Sequence, residues 1–197
     1  MKRFVSSLAL ALTMLVSSAA FATTTTYRST MSGPAEAPPV ASPGAGIATI
    51  VIDDIAMTMT MSLTMPFFDL LGNTVAAHLH CCTAAPLIGT APVAVPLDGF
   101  PMGVRSGNYS RVFNLSDPGT YNAAFITAHG GTVETARTYL LNGINANESY
   151  LNIHTNLYPN GEMRGFLVAM PVPEPASWLM LGAGLAGLSL VAKRRAK

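Results

Sequence analysis

The chain has 197 residues, of which 50% are hydrophobic and 11% charged, and its formal net charge at pH 7 is +1. Residues 23–171, however, carry five arginines, no lysine and nine carboxylates. This acidic central part offers no basic patch to a phosphate backbone, which excludes nucleic-acid binding.

The first 22 residues have the three parts of a secretory signal peptide. Lys2 and Arg3 supply the charged start, an apolar run follows, and residues 20–22 (Ala-Phe-Ala) have the small residues that flank a cleavage site. We expect cleavage after Ala22. The remaining residues 23–171 are enough for one domain with a real core, in an oxidising compartment.

A two-residue period of apolar and polar residues dominates the central part. Met57, Met59, Met61 and Leu63 alternate with hydroxyl residues, which predicts a strand with one apolar and one hydroxyl face. We assign the methionines to the core rather than to a Cu(I) site. Further strands, bounded by Gly, Pro, Asn or Asp, are predicted at 47–53, 75–80, 93–97, 110–115, 150–154 and 163–170.

One helix interrupts this pattern, with Thr132 as its N-cap and Gly143 as its end. Many short strands with turn signals and one short helix predict a mainly β fold. More specifically, we expect an antiparallel Greek-key β-sandwich of the immunoglobulin-like or superoxide-dismutase-like kind.

Three histidines form the candidate metal site. His78 and His80 are two residues apart on a predicted strand, so both rings point to one face, and His154 lies on a late strand. A sandwich can bring the three together, and three imidazoles with an open fourth position suit zinc or copper. In the plainer interpretation they make buried hydrogen bonds to Glu162, Thr155 or the backbone.

Cys81 and Cys82 are the only cysteines and are adjacent in sequence. Free thiols are unusual in an oxidising compartment, so we consider first a disulfide between these neighbours. The alternatives are Cu(I) binding beside the histidines and a disulfide between two chains.

Glu162 and Arg164 are two apart, at the start of the last predicted strand, and therefore lie on one face. They are predicted to form a buried carboxylate–guanidinium pair that closes a hairpin. The alternative makes Glu162 the group that orients a metal-bound histidine.

The tail begins with Pro173, Glu174 and Pro175, continues with an apolar run over 178–192, and ends in a basic cluster. This order resembles the PEP-CTERM sorting signal. The resemblance implies an exosortase-type processing enzyme as partner and a protein anchored in the inner membrane before processing. The apolar run predicts a short transmembrane helix within 172–197, with the basic end in the cytoplasm.

Three blocks of the central part carry a second resemblance: residues 32–46 (SGPAEAPPVASPGAG), 76–82 (AAHLHCC) and 149–167 (SYLNIHTNLYPNGEMRGFL). Together they resemble the CHRD domain, named after chordin, over about residues 27–167. The resemblance implies a β-sandwich in an extracellular setting but no defined reaction. In this family the histidine pair is usually followed by Gly-Pro, whereas here Cys81 and Cys82 follow.

These observations favour an exported, non-enzymatic surface or extracellular-matrix protein that binds exopolysaccharide or other surface proteins, as in a biofilm matrix. The link to exopolysaccharide comes from the resemblance of the tail. The alternative is an exported copper or zinc protein that uses His78, His80 and His154.

Overall fold

A computed structural model describes residues 24–171 together with Gly182, Gly184 and Leu185, which are helical. The predicted signal peptide and the Pro173-Glu174-Pro175 triplet lie outside the described residues, as does the predicted C-terminal helix except for those three residues. Within the described part of the chain, no helix is both long enough and apolar enough to cross a bilayer.

The described residues form an antiparallel sheet of eight strands and two α-helices. In chain order the strands are β1 (Thr24–Ser32), β2 (Ala45–Asp53), β3 (Thr58–Phe68), β4 (Thr74–His80), β5 (Val93–Pro96), β6 (Ser110–Asn114), β7 (Tyr150–Thr155) and β8 (Met163–Ala169). The helices are α1 (Ala123–Ala128) and α2 (Val133–Asn145). The prediction of a mainly β, antiparallel fold is confirmed.

The strand order in the sheet is β5-β4-β7-β8-β1-β2-β3-β6. One half consists of β5, β4 and β7, the other of β1, β2, β3 and β6, and β8 joins them by pairing with both β7 and β1. The segment between β5 and β6 contacts both halves: Gly103 N–H donates to Thr74 O at 2.8 Å, and Gly107 bridges to Phe67. The sheet is therefore curled.

Met59 and Met61 of β3 belong to the core, as predicted, whereas Met57 lies in the turn before β3 and is half-buried. Met59 and Met61 are fully buried together with Ile50 of β2 and Leu79 of β4. Their apolar side chains alternate with half-buried hydroxyl residues on the other face of β3.

Three features differ from the expectation. Strand β1 was not predicted, because Tyr27 and Met31 are its only large apolar residues and its other positions are mostly hydroxyl residues. Two helices form instead of one, since α1 has only six residues and too short a pattern to recognise. Thr132 does cap α2, but the helix continues through Gly143 to Asn145.

Candidate metal centre

The pairing of β4 with β7 places the histidines on one face. Ala76 lies opposite His154, and His78 lies opposite Asn152 in the antiparallel register. Because side chains alternate along a strand, His78, His80 and His154 all point away from the core, into which Leu79 points.

The structure brings the three histidines together. One ring nitrogen from each can be chosen such that all three lie within 4.8 Å of one another. The closest pair is His78 Nδ1 and His154 Nε2, at 3.2 Å. The His78 ring lies edge-on to both other rings, with centroid separations of 5.7 Å to His80 and 5.0 Å to His154.

Backbone carbonyls fix two of the three rings. His80 Nδ1 lies 2.8 Å from Ala91 O, and His154 Nδ1 lies 2.9 Å from Pro159 O. Because a carbonyl oxygen can only accept, each Nδ1 carries the hydrogen and each Nε2 presents a lone pair, which in His154 accepts a hydrogen bond from His78 Nδ1. Such outer contacts orient metal-binding histidines and set their tautomer.

The environment favours neutral imidazoles. Burial lowers the pKa of His80 to about 4, helped by the positive charges of its neighbours, although its hydrogen bond to Ala91 opposes the shift. Burial also lowers the pKa of His78, with a contribution from His154, and that of His154 itself. Neutral rings are the form that coordinates metals.

The cluster is buried on the side of His80 and accessible to solvent on the side of His78 and His154. His80 is 8% exposed and its ring stacks on Tyr150, with centroids 4.8 Å apart and planes 2° from parallel. Its Nε2 atom is buried and lacks a hydrogen-bond partner in the described structure. His78 and His154 are half-buried, so solvent reaches the cluster from their side.

The fourth histidine, His129, lies elsewhere. It follows α1 and stacks on Tyr139 of α2, with ring centroids 3.7 Å apart. It does not belong to the cluster.

The predicted pair between Glu162 and Arg164 is wrong. Glu162 is buried and accepts hydrogen bonds from Ser42 Oγ at 2.6 Å, from Thr155 Oγ1 at 2.7 Å, and from the N–H groups of Leu71 and Gly72. Burial alone would raise the pKa of Glu162, but these hydrogen bonds lower it on balance. Within the described structure its carboxylate bonds these groups and no histidine, so it holds loops and strands together.

Arg164 instead faces Glu36, a residue that the sequence analysis did not select. The Arg164 Nε atom lies 3.9 Å from Glu36 Oε2, and the guanidinium also donates to Ala35 O and Gly89 O. Asn152 Nδ2 donates to Glu36 Oε2 at 3.4 Å, while Glu36 Oε1 and Asn152 Oδ1 are buried without partners. The position of Glu36 within the 32–46 block was the available signal for its role.

The cysteines are bonded to each other in the structure, and their sulfurs lie beside α2. Cys81 is buried in the core, and the two sulfurs lie 4.0 Å and 3.8 Å from the carbonyl oxygens of Leu140 and Tyr139 in α2. In the described structure they are therefore not part of the histidine cluster.

Three neutral nitrogens, two of them with a fixed tautomer, form a donor set suited to zinc or copper. The buried and unpartnered Nε2 of His80 fits this interpretation, because a buried acceptor without a donor is costly and a bound cation would satisfy it.

Comparisons with known proteins give two matches. The CHRD domain matches residues 27–167, and the PEP-CTERM protein-sorting motif matches residues 171–195. No curated protein and no solved structure matches the chain.

Proposed function

Because the chain belongs to the CHRD domain family and carries a PEP-CTERM sorting motif, we propose that it is an exported surface protein whose β domain binds a zinc or copper ion through His78, His80 and His154. The sorting motif marks it as an exosortase substrate. The metal is the part that the geometry supports best.

The observation that carries the metal proposal is the unpartnered Nε2 atom of His80 beside two further imidazoles. In a tetrahedral site with Zn–N bonds of about 2.0–2.1 Å, two ligand nitrogens lie roughly 3.3 Å apart. His78 Nδ1 and His154 Nε2 are 3.2 Å apart, so they suit a shared ion. A ring nitrogen of His80 lies within 4.8 Å of one nitrogen of each of these two rings.

The test is the metal content of the exported protein, produced without a polyhistidine tag. We expect close to one equivalent of zinc or copper in the native protein and loss of that metal in His78→Ala and His154→Ala. His129→Ala is the matched control, because it removes the histidine outside the cluster. A folded native protein that takes up neither ion refutes the proposal.

We propose that the two ends of the chain direct its export and its membrane anchoring. We propose that residues 1–22 are removed as a signal peptide, that 23–171 form the mature domain, and that 172–197 anchor the precursor in the inner membrane by a short helix. Replacing Pro173, Glu174 and Pro175 by alanine should leave a longer, membrane-bound precursor on immunoblots. Normal processing of that variant would contradict this role for the triplet.

Association with exopolysaccharide is a second proposal. Its support is the hydroxyl-rich outer face of the sheet, where Thr60 and Ser62 of β3 lie beside β6 and Ser62 contacts Ser110 at 2.9 Å. Cells that lack exopolysaccharide should then release the protein into the medium. We also retain as a proposal the finer fold assignment, a Greek-key sandwich of immunoglobulin-like or superoxide-dismutase-like type, and we propose no reaction.

A further inference from the structure

The proposed metal centre carries a net positive charge. Imidazoles that coordinate through unprotonated nitrogens are neutral, so a divalent ion bound by His78, His80 and His154 keeps both of its positive charges. Among the described residues, no carboxylate or thiolate joins this cluster. The electrostatic balance therefore calls for an anion from outside the chain.

The neighbouring charges do not supply that balance. The guanidinium of Arg164 lies over the Tyr150 ring, 4.8 Å from its centroid, and Tyr150 in turn stacks on His80. Glu36 lies beside Arg164, so the negative charge that it can carry is offset by a positive one. This pair leaves the charge of a bound ion uncompensated.

Access is limited to one side. The loop that holds Ala91 and the ring of Tyr150 cover His80, whereas His78 and His154 remain half-buried on the outer face of the sheet. Any ligand from outside must approach past these two rings. Since His78 and His154 lie on an outer sheet face, an acid group on a polymer can reach them as well as a small acid can.

Resting on the proposed metal site, we infer that the loaded centre binds a carboxylate, and that acidic polysaccharides bearing uronate groups supply it. One carboxylate oxygen takes the open position on the metal and one water leaves, with no change in oxidation state. Carboxylate oxygens are accepted ligands of both zinc and copper. The ion is then the link between this exported protein and an acidic matrix.

The experiment uses the exported protein loaded with Cu(II), whose visible absorption and electron paramagnetic resonance report the ligands. It is titrated with acetate, with polygalacturonate and with uncharged dextran. We expect saturable spectral changes with the first two and none with dextran, with the polymer binding tighter per mole of chain because each chain offers many carboxylates to the one site. Zinc-loaded protein in calorimetric titrations should bind the same acids, and metal-free protein should not.

The outcomes separate the two proposals. If the protein binds no metal, the proposed function fails. If it binds copper but neither acid changes the spectra, the metal site stands and the carboxylate inference fails. If acetate binds and polygalacturonate does not, the polysaccharide source is rejected. Polymer binding that persists without metal, or in His78→Ala and His154→Ala, assigns the binding to another surface and overturns the inference.

Discussion

Gly143 of α2 faces Cys82 so closely that no Cβ atom fits between them. The space that a Cβ would need is filled by the sulfurs of both cysteines and by the Cβ of Cys82. The helix therefore docks on the cysteine pair through a position that only glycine can occupy.

Replacing Gly143 by alanine should therefore destabilise the domain. Alanine favours a helix over glycine by up to about 1 kcal/mol, but overpacking a core costs about 1–3 kcal/mol. We expect a net loss of about 1–2 kcal/mol in the free energy of unfolding, measured by urea denaturation. Asn142→Ala is the control, since Asn142 is exposed on the same helix. Equal stability of the two variants would show that α2 does not dock in this way.

The state of Cys81 and Cys82 gives a second prediction. With the disulfide formed, the intact protein should be lighter than the reduced protein by two hydrogen atoms and should resist alkylation until it is reduced. Mass spectrometry with and without reductant measures both. A dimer that reductant dissociates would point instead to a bond between two chains, and ready alkylation of the untreated native protein to free thiols.

Glu162 should matter for stability and not for metal. In Glu162→Gln, the amide nitrogen can only donate, although the groups around it are donors in Ser42, Thr155 and the backbone. Losing charged hydrogen bonds in a buried site should cost roughly 3 kcal/mol, measured by chemical denaturation.

The control for this substitution is Glu148→Gln, an acid-to-amide change at a half-buried position. The metal content of the folded fraction should equal that of the native protein. Loss of metal from a fully stable Glu162→Gln would restore Glu162 as the group that orients a histidine.

Glu36 should impose a pH dependence on stability. Burial raises its pKa to about 7, with Arg164 opposing the shift. The folded state therefore binds the proton more tightly than the unfolded state does. Its stabilising contribution is complete below pH 4.5 and is lost as the pH rises to about 7. Protonated Glu36 also has a hydrogen to offer, and Asn152 Oδ1 is a nearby acceptor without a partner.

Glu36→Gln should remove this dependence, because its amide keeps the donor at every pH. We expect the variant to match the native protein near pH 4.5 and to be more stable at pH 8, by at most about 3 kcal/mol for a shift of this size. Thermal unfolding across this pH range measures the difference. Glu134→Gln, an exposed change on α2, controls for surface charge. Parallel curves for Glu36→Gln and the native protein would refute the prediction.

Local patterns in the sequence were sufficient for most of the sheet. The alternation through Met59 and Met61 identified both the strand and its buried face, since period-two alternation is a local property. Thr132 was recognised as a cap for the same reason, because capping depends on residues one turn away. Strand β1 was not predicted, because its long-range pairing with β2 and β8, rather than its own composition, makes it a strand.

The candidate site was predictable in part. The two-residue spacing of His78 and His80 fixed their common face, but the approach of His154 depends on the register of β4 against β7, which no local pattern gives. The spacing of Glu162 and Arg164 misled for a related reason. Glu162 accepts a hydrogen bond from Ser42, and Arg164 pairs with Glu36. Both partners are far away in the sequence, so nearness in sequence did not decide the pairing.

The position of β8 has a consequence for export. This strand joins the two halves of the sheet, and it ends at Ala169, two residues before the start of the matched sorting motif at 171. If residues 1–22 act as the proposed signal peptide, export begins at the N-terminus and the joining strand is delivered last, directly before the sorting motif. A product truncated before β8 also lacks the motif, so a chain cut short before the sheet is complete carries no sorting signal.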